Sequence, residues 1–269
     1  MRCLRLHDQH ADALEELLQQ DTTQNLFLLG FLATHAVGDA PWYGVVDGDH
    51  VIATALVLPG RLVVPWGPEG ACRAIGAALR SRHAPCMVVG PRDACDGLWA
   101  TWAPRAPTQC HYDQRLYVCD QAPPEPAIAG FRLAREDEWP IIARHAAEME
   151  RADLGRDPAS EDPELHARVV LERVRAGRTW IIARGRDIVF QINVGTATEL
   201  GCQVGGTWVP PRWRRQGLAT AGMRAVTRRL LAKHPAVTLH VNESNQPAVR
   251  CYERAGYRRG APFRLITVP

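Results

Sequence analysis

Residues 120–130 read Asp-Gln-Ala-Pro-Pro-Glu-Pro-Ala-Ile-Ala-Gly, with three prolines in four positions. Proline fixes φ and donates no N–H, so this stretch can be neither helix nor central strand. It favours an extended connector. The 269-residue chain is long enough for a domain on each side of it. We therefore expect a first domain over 1–120, a linker over 121–130 and a second domain over 131–269. An apolar share of 46% and a charged share of 23% exclude disordered and fibrous classes.

Hydrophobic spacing gives both halves a mixed α and β pattern. In the second, a strand over Phe131–Ala134 precedes a helix marked by Asp137 and Pro140 and running through Met149. A second helix over Pro163–Arg175 closes at Gly177. Strands follow at Thr179–Ala183, Asp187–Val194 and Cys202–Val209, the first two joined by the hairpin signal Arg-Gly-Arg. A long helix over Gly217–His234, a strand over Thr238–Val241, a helix over Pro247–Arg254 and a strand over Phe263–Val268 complete the order β-α-α-β-β-β-α-β-α-β. The first half offers helices at Ala11–Gln20, Asn25–His35 and Ala71–His83. Its strands are expected at Trp42–Val46, Val51–Leu58, Arg61–Val64, Met87–Val89 and Gln114–Cys119. The predicted class is α+β, with two domains of related plan, each a mostly antiparallel mixed sheet flanked by helices.

Charge is unevenly spread over a net +3. Residues 1–120 carry nine arginines against thirteen carboxylates, net −4, whereas residues 205–269 carry twelve basic groups against Glu243 and Glu253, net +10. A local excess of that size asks for a polyanionic partner. The basic tract lacks the interleaved exposed aromatics of a single-strand binder, so a nucleic-acid partner is not expected. No stretch approaches the apolar length of a membrane span, and the N-terminus turns polar before a signal-peptide core could form, so the expected location is the cytoplasm. The eight cysteines form no C-x-x-C pair, the ten histidines form no H-x-x-x-H pair, and neither a metal nor a disulfide framework is expected.

One segment concentrates the chemistry. Val209-Pro-Pro-Arg-Trp-Arg214-Arg215-Gln216-Gly217-Leu218-Ala219-Thr220 joins a strand to the long helix. The first turn of a helix has unpaired N–H groups and the positive end of the dipole, which together make an anion site. Gly217 allows close approach of a phosphate, Ala219 keeps the first turn open, and Arg214 and Arg215 add charge and planar donors. Downstream, Leu239-x-Val241-x-x-x-Asn245-x-x-Ala248-x-x-x-Tyr252-x-x-x-Gly256-Tyr257 describes a strand, an Asn before a helix, and a tyrosine one turn before its end.

With both segments in this order the chain resembles the GNAT superfamily of acyl-CoA-dependent N-acyltransferases over residues 131–269. Arg214-x-x-Gly217-x-Ala219 is similar to that family's pyrophosphate motif, and the second segment to its second signature. The resemblance implies acetyl-CoA as cosubstrate, with backbone groups of Thr207 and Val209 meeting the pantetheine arm. It implies that Arg214, Arg215, Gln216, Gly217, Leu218, Ala219 and Thr220 cradle the pyrophosphate and that Asn245 sits beside the pantetheine. Tyr252 would bind the cofactor and act as the general acid on the departing thiolate. The expected reaction is acetyl transfer to a primary amine of a protein, peptide or small molecule by direct attack in a ternary complex. A non-catalytic acyl-CoA sensor is the alternative.

Relatives are understood to use a glutamate on the strand before the phosphate turn, or a water relay, as base. Here that strand, Cys202–Val209, has no carboxylate. The base stays open among Glu148, Glu150, Glu199 and His240, and Glu148 and Glu150 could equally bind a cationic acceptor. The first half resembles a degenerate second GNAT-like unit of the bacterial tandem kind. Its corresponding turn, Pro65-Trp66-Gly67-Pro68-Glu69-Gly70-Ala71, has no basic residue. Glu69 would repel a pyrophosphate, so no cofactor is expected there.

Overall fold

A computed structural model describes residues 2–58 and 62–268. Met1, Arg61 and Pro269, which bound three of the expected segments, lie outside the described residues. In chain order the elements of the first half are β1 (Arg2–Arg5), α1 (Ala11–Gln19), α2 (Leu26–Leu32), β2 (Trp42–Asp47), β3 (His50–Leu58), β4 (Leu62–Trp66), α3 (Glu69–Leu79), β5 (Met87–Pro91), α4 (Arg92–Trp102) and β6 (Cys110–Cys119). There follow β7 (Phe131–Leu133), α5 (Trp139–Leu154), α6 (Pro158–Glu161), α7 (Pro163–Arg175), β8 (Thr179–Arg184), β9 (Asp187–Thr198), β10 (Gly201–Trp208), α8 (Leu218–Leu231), β11 (Val237–Asn242), α9 (Gln246–Arg254) and β12 (Arg258–Thr267). The mixed sheets flanked by helices make this an α+β protein.

Two compact units emerge. The first runs to Leu116 and adds His240–Asn245 and the chain from Arg259; the second takes Tyr117–Leu239 and Gln246–Arg258. The expected boundaries over 1–120 and 131–269 differ in where they leave the last strand. The cause is pairing: β12 lies antiparallel to β5, with Phe263 opposite Pro91 and Ile266 opposite Val88.

In the first unit β1, β2, β3 and β4 run antiparallel and β5 joins β4 in parallel. One face of β3 sends Ala53, Ala55 and Val57 into a core with Ile75, Leu79 and Leu98 of α3 and α4. The other face sends Leu56 toward Leu14, Leu18 and Leu28 of α1 and α2. Helix α4 and strand β1 were not foreseen. The helix carries Gly97 and two aspartates, poor helix formers. Contact with α3 explains the glycine, because a Cβ at Gly97 would stand 2.4 Å from the Glu69 carbonyl oxygen.

The second unit repeats the plan. Strands β7, β8, β9 and β10 are antiparallel, and β10 and β11 run parallel through Cys202–Val237 and Gln203–Thr238. Ile142, Ala146, Val170 and Val174 of α5 and α7 cover one face against Ile181 and Ile188. Helix α8 covers the other so closely that a Cβ at Gly222 would meet the Phe190 ring at 2.5 Å. Beyond Gly205 the β9–β10 register slips, with Gly205 opposite Asn193 and Trp208 opposite Gln191. Three steps on β10 thus match two on β9, a bulge, and Gly206 takes φ 67° within it. The bulge sets the direction of Thr207 and the chain that leaves β10.

Candidate active site

The segment after β10 makes a short 3-10 turn at Pro211–Trp213 and enters α8 at Gly217, which adopts φ 74°. No side chain caps the helix. The N–H groups of its first turn therefore remain available to a ligand. A Cβ at Gly217 would find no atom within 4 Å, so the turn faces open space. Arg215 is also left-handed, at φ 62°, a conformation that non-glycine residues adopt only where surrounding structure enforces it. Leu218 is buried and pins the helix start, with Ala219 and Thr220 half-buried behind it.

Arginines crowd this turn. Arg214 donates from Nε to the Val209 carbonyl at 3.1 Å and lays its guanidinium 4.7 Å from the Trp208 ring centre. Arg184 and Arg212 flank Trp213 at 5.5 and 5.9 Å. Arg184 donates from Nη1 to the Gln216 side-chain Oε1 at 3.2 Å, and Arg212 pairs with Asp187 at 2.5 Å. Arg215 is exposed. Open backbone, free N–H groups and positive charge fit a pyrophosphate.

Tyr252 is 8% exposed, on the buried face of α9. Burial pushes its phenol up to about 12, against the opposing pull of the neighbouring Thr207 side chain. The Tyr257 ring lies 6.2 Å away, its own hydroxyl 2.8 Å from Thr227. Thr207 of β10 and the tyrosine of α9 are thus neighbours, a proximity that spacing along the chain does not reveal. Asn245 stands just before α9 and its N–H bonds the Asn242 carbonyl.

The expected carboxylates are distributed otherwise. Glu148 lies 4.0 Å from Arg144 on its own helix. Glu150 sits 4.0 Å from Arg156, and burial raises its pKa against the pull of Arg156, His166 and Arg173. Glu199 is exposed at the β9–β10 turn. His240 lies against Phe263 in the first unit, ring centres 4.2 Å apart and tilted by 30°, and burial lowers its pKa to about 4. Sequence reasoning missed Asp153. This half-buried carboxylate lies within electrostatic reach of both Arg214 and Tyr252, and burial raises its pKa above the usual value. Its signal was helical: Ile142, Ala146, Met149 and Asp153 follow one stripe of α5, the stripe that faces the sheet.

The first unit's turn is chemically different. Pro68 precedes α3, and Glu69 in its first turn pairs with Arg73 at 2.6 Å. All eight cysteines are free thiols, only Cys3 and Cys251 being half-buried rather than buried. Among the described residues no group of His, Cys, Asp and Glu is placed to hold a metal, and no helix is long and apolar enough to cross a membrane.

Comparison with known proteins fits this geometry. No curated protein matches the sequence. An acetyltransferase from the GNAT family of Colwellia psychrerythraea superimposes with a TM-score of 0.61 at 10% identity, covering all of both chains. A GCN5-related N-acetyltransferase from Sphaerobacter thermophilus gives 0.60 at 19% identity, covering 98% of this chain and 94% of that one. A tandem GNAT protein from the clavulanic acid biosynthesis pathway gives 0.59 at 15% identity over 99% and 98%. These likenesses establish the fold. The model of the acetyltransferase (GNAT) family matches residues 139–257, the stretch that carries the arginine-rich turn and Tyr252. Residues 139–257 thus match the acetyltransferase (GNAT) family, and the whole chain shares its fold with solved GNAT proteins, a tandem one among them.

Proposed function

We propose that this protein is an N-acetyltransferase that moves an acetyl group from acetyl-CoA to a primary amine by direct attack. The observation that carries the reading is the turn before α8, open at Gly217 and ringed by Arg184, Arg212, Arg214 and Arg215. In this reading the N–H groups of Leu218, Ala219 and Thr220 and the neighbouring arginines hold the pyrophosphate. Gln216 orients that turn through Arg184, and backbone groups of Thr207 and Val209 meet the pantetheine. Acetyl-CoA supplies a thioester that amines attack readily.

Proton handling falls to this chain's own residues. An amine arrives as an ammonium and must lose a proton before or as the C–N bond forms. Asp153 is the carboxylate we assign to that proton, because burial raises its proton affinity and it lies in the field of Tyr252. Glu148 and Glu150, farther back on α5, supply negative charge that draws a cationic acceptor. Tyr252, protonated throughout the neutral range, donates to the sulfur as the C–S bond breaks.

The test pairs binding with turnover. Calorimetry with acetyl-CoA should give a complex, and thiol release should follow with at least one acceptor among lysine peptides, polyamines, amino acids and aminoglycosides. Asp153→Asn should lower kcat without weakening acetyl-CoA binding. Binding without turnover across the panel would favour a CoA-binding regulatory module instead. Absence of binding overturns the reading.

A further inference from the structure

We infer that the first unit carries a binding site of its own, a cleft for a small organic ammonium with an apolar body. This inference does not rest on the transfer reaction, and its ligand is of opposite charge to a pyrophosphate.

The cleft measures about 480 Å³ and lies between one face of α1, the start of β3 and the turn after β4. That volume is typical of a small-molecule pocket. Leu17 and Val51 are buried and Trp66 is half-buried, giving an apolar floor, while Glu16, Gln20 and His50 are exposed at the rim. Backbone geometry creates the space. Gly67, at φ 128°, presses the turn against β3 so tightly that a Cβ there would meet the Ala53 Cβ at 2.6 Å. Any side chain at position 67 would therefore push the turn outward and distort the hollow.

The lining fixes the charge of the occupant. Among the described residues it includes no lysine or arginine. Glu16 supplies its one carboxylate and, among the described residues, has no ion-pair partner. Pro68 offers no N–H to an anion. An indole face attracts an ammonium placed over it, and a carboxylate beside it adds to that attraction. Gln20 and His50 can accept further N–H bonds from the same group. An apolar body fits the floor and excludes a simple inorganic cation.

Calorimetry on the full chain with 2-phenylethylamine, protonated at neutral pH, tests the assignment against 2-phenylethanol and 3-phenylpropanoate, which keep the ring and change the charge. The amine should bind up to about fivefold more tightly than the alcohol, the scale of one partly exposed charge pair, and the carboxylate should not bind. Glu16→Gln, at an exposed position of α1 that leaves the core intact, should bring the amine down to the alcohol's affinity. Trp66→Leu should weaken both, and thermal melting will show whether that variant is folded. Equal affinity for amine and alcohol overturns the proposal. So does amine binding that survives Glu16→Gln, which would place the amine elsewhere in the molecule, or no amine binding at millimolar concentration.

Discussion

Replacing Gly217 by aspartate and, separately, by asparagine divides the arginine-rich turn into its steric and its electrostatic parts. Both residues tolerate the left-handed conformation better than other side chains, so the φ of 74° costs each about 1 kcal/mol of stability. Neither meets a clash in the free protein, because a Cβ at this position has no neighbour within 4 Å. Their stabilities should therefore fall together and modestly. The two differ by one negative charge placed where a pyrophosphate is proposed to sit. Two like charges about 4 Å apart repel by roughly 1 kcal/mol in water and about 4 kcal/mol at the effective dielectric of a protein surface. Aspartate should thus bind CoA about five- to a thousandfold more weakly than asparagine. In the free protein it also gains Arg214 and Arg215 as neighbours, which adds to the competition. Raising salt should shrink the gap, since the Debye length falls from about 10 Å at 0.1 M to about 3 Å at 1 M. Titration calorimetry at two ionic strengths, with thermal melts on the same samples, reads all of this without an acceptor. Equal CoA affinity for the two variants, or wild-type affinity in Gly217→Asp, would refute a phosphate site at this turn.

Other outcomes follow from the same coordinates. Tyr252→Phe should lower kcat by about 10²–10⁴-fold with little change in the KM for acetyl-CoA. Because the phenol lies near 12, the pH profile between 6 and 10 should keep its shape in that variant, as stopped assays across the range would show. His240, held near 4 when folded, takes up its proton only on unfolding between about pH 6.5 and 4, so stability should fall through that window. His240→Phe should flatten the acid slope by at most about 3 kcal/mol, read by denaturant titration at each pH. Gly76→Ala would put a Cβ 2.2 Å from the Leu98 carbonyl oxygen and should cost about 1–3 kcal/mol in chemical denaturation while leaving CoA affinity intact. Titration of the whole chain should fit one CoA, because the turn before α3 offers Pro68 and Glu69 where the turn before α8 offers Gly217 and arginines.

Local patterns were legible where one element decides them. The order of strands and helices in the second half follows from periodicity and punctuation, and α7 keeps its expected bounds because Pro163 and Gly177 mark both ends. Helix α4 escaped because its Gly97 is chosen for contact with α3 and not for helix propensity. The partner of β12 escaped too, since a ladder with β5 joins residues more than 170 positions apart and leaves no local trace. The site divides in the same way. Gly217 and Tyr252 announce themselves by position in their own elements. The nearness of Tyr252 to Thr207 depends on a bulge at Gly206, and that of Asp153 on how α5 packs.

The two units show how one arrangement of strands and helices can be given opposite electrostatic preferences. In each, a strand leads through a glycine with positive φ into a helix that crosses to a parallel neighbour. Gly217 leaves its turn facing open space, whereas Gly67 folds its turn against Ala53. One helix begins with free N–H groups beside arginines; the other begins after a proline, with Glu69 at the positive end of its dipole. A carboxylate there competes for the N–H groups that a phosphate would use, and Arg73 neutralises it along the helix surface and not toward a ligand. The sheet and helices place a turn in space, and four or five side chains then decide the charge of what it can hold. A chain that is net −4 over its first 120 residues and +10 over its last 65 has made those two decisions differently.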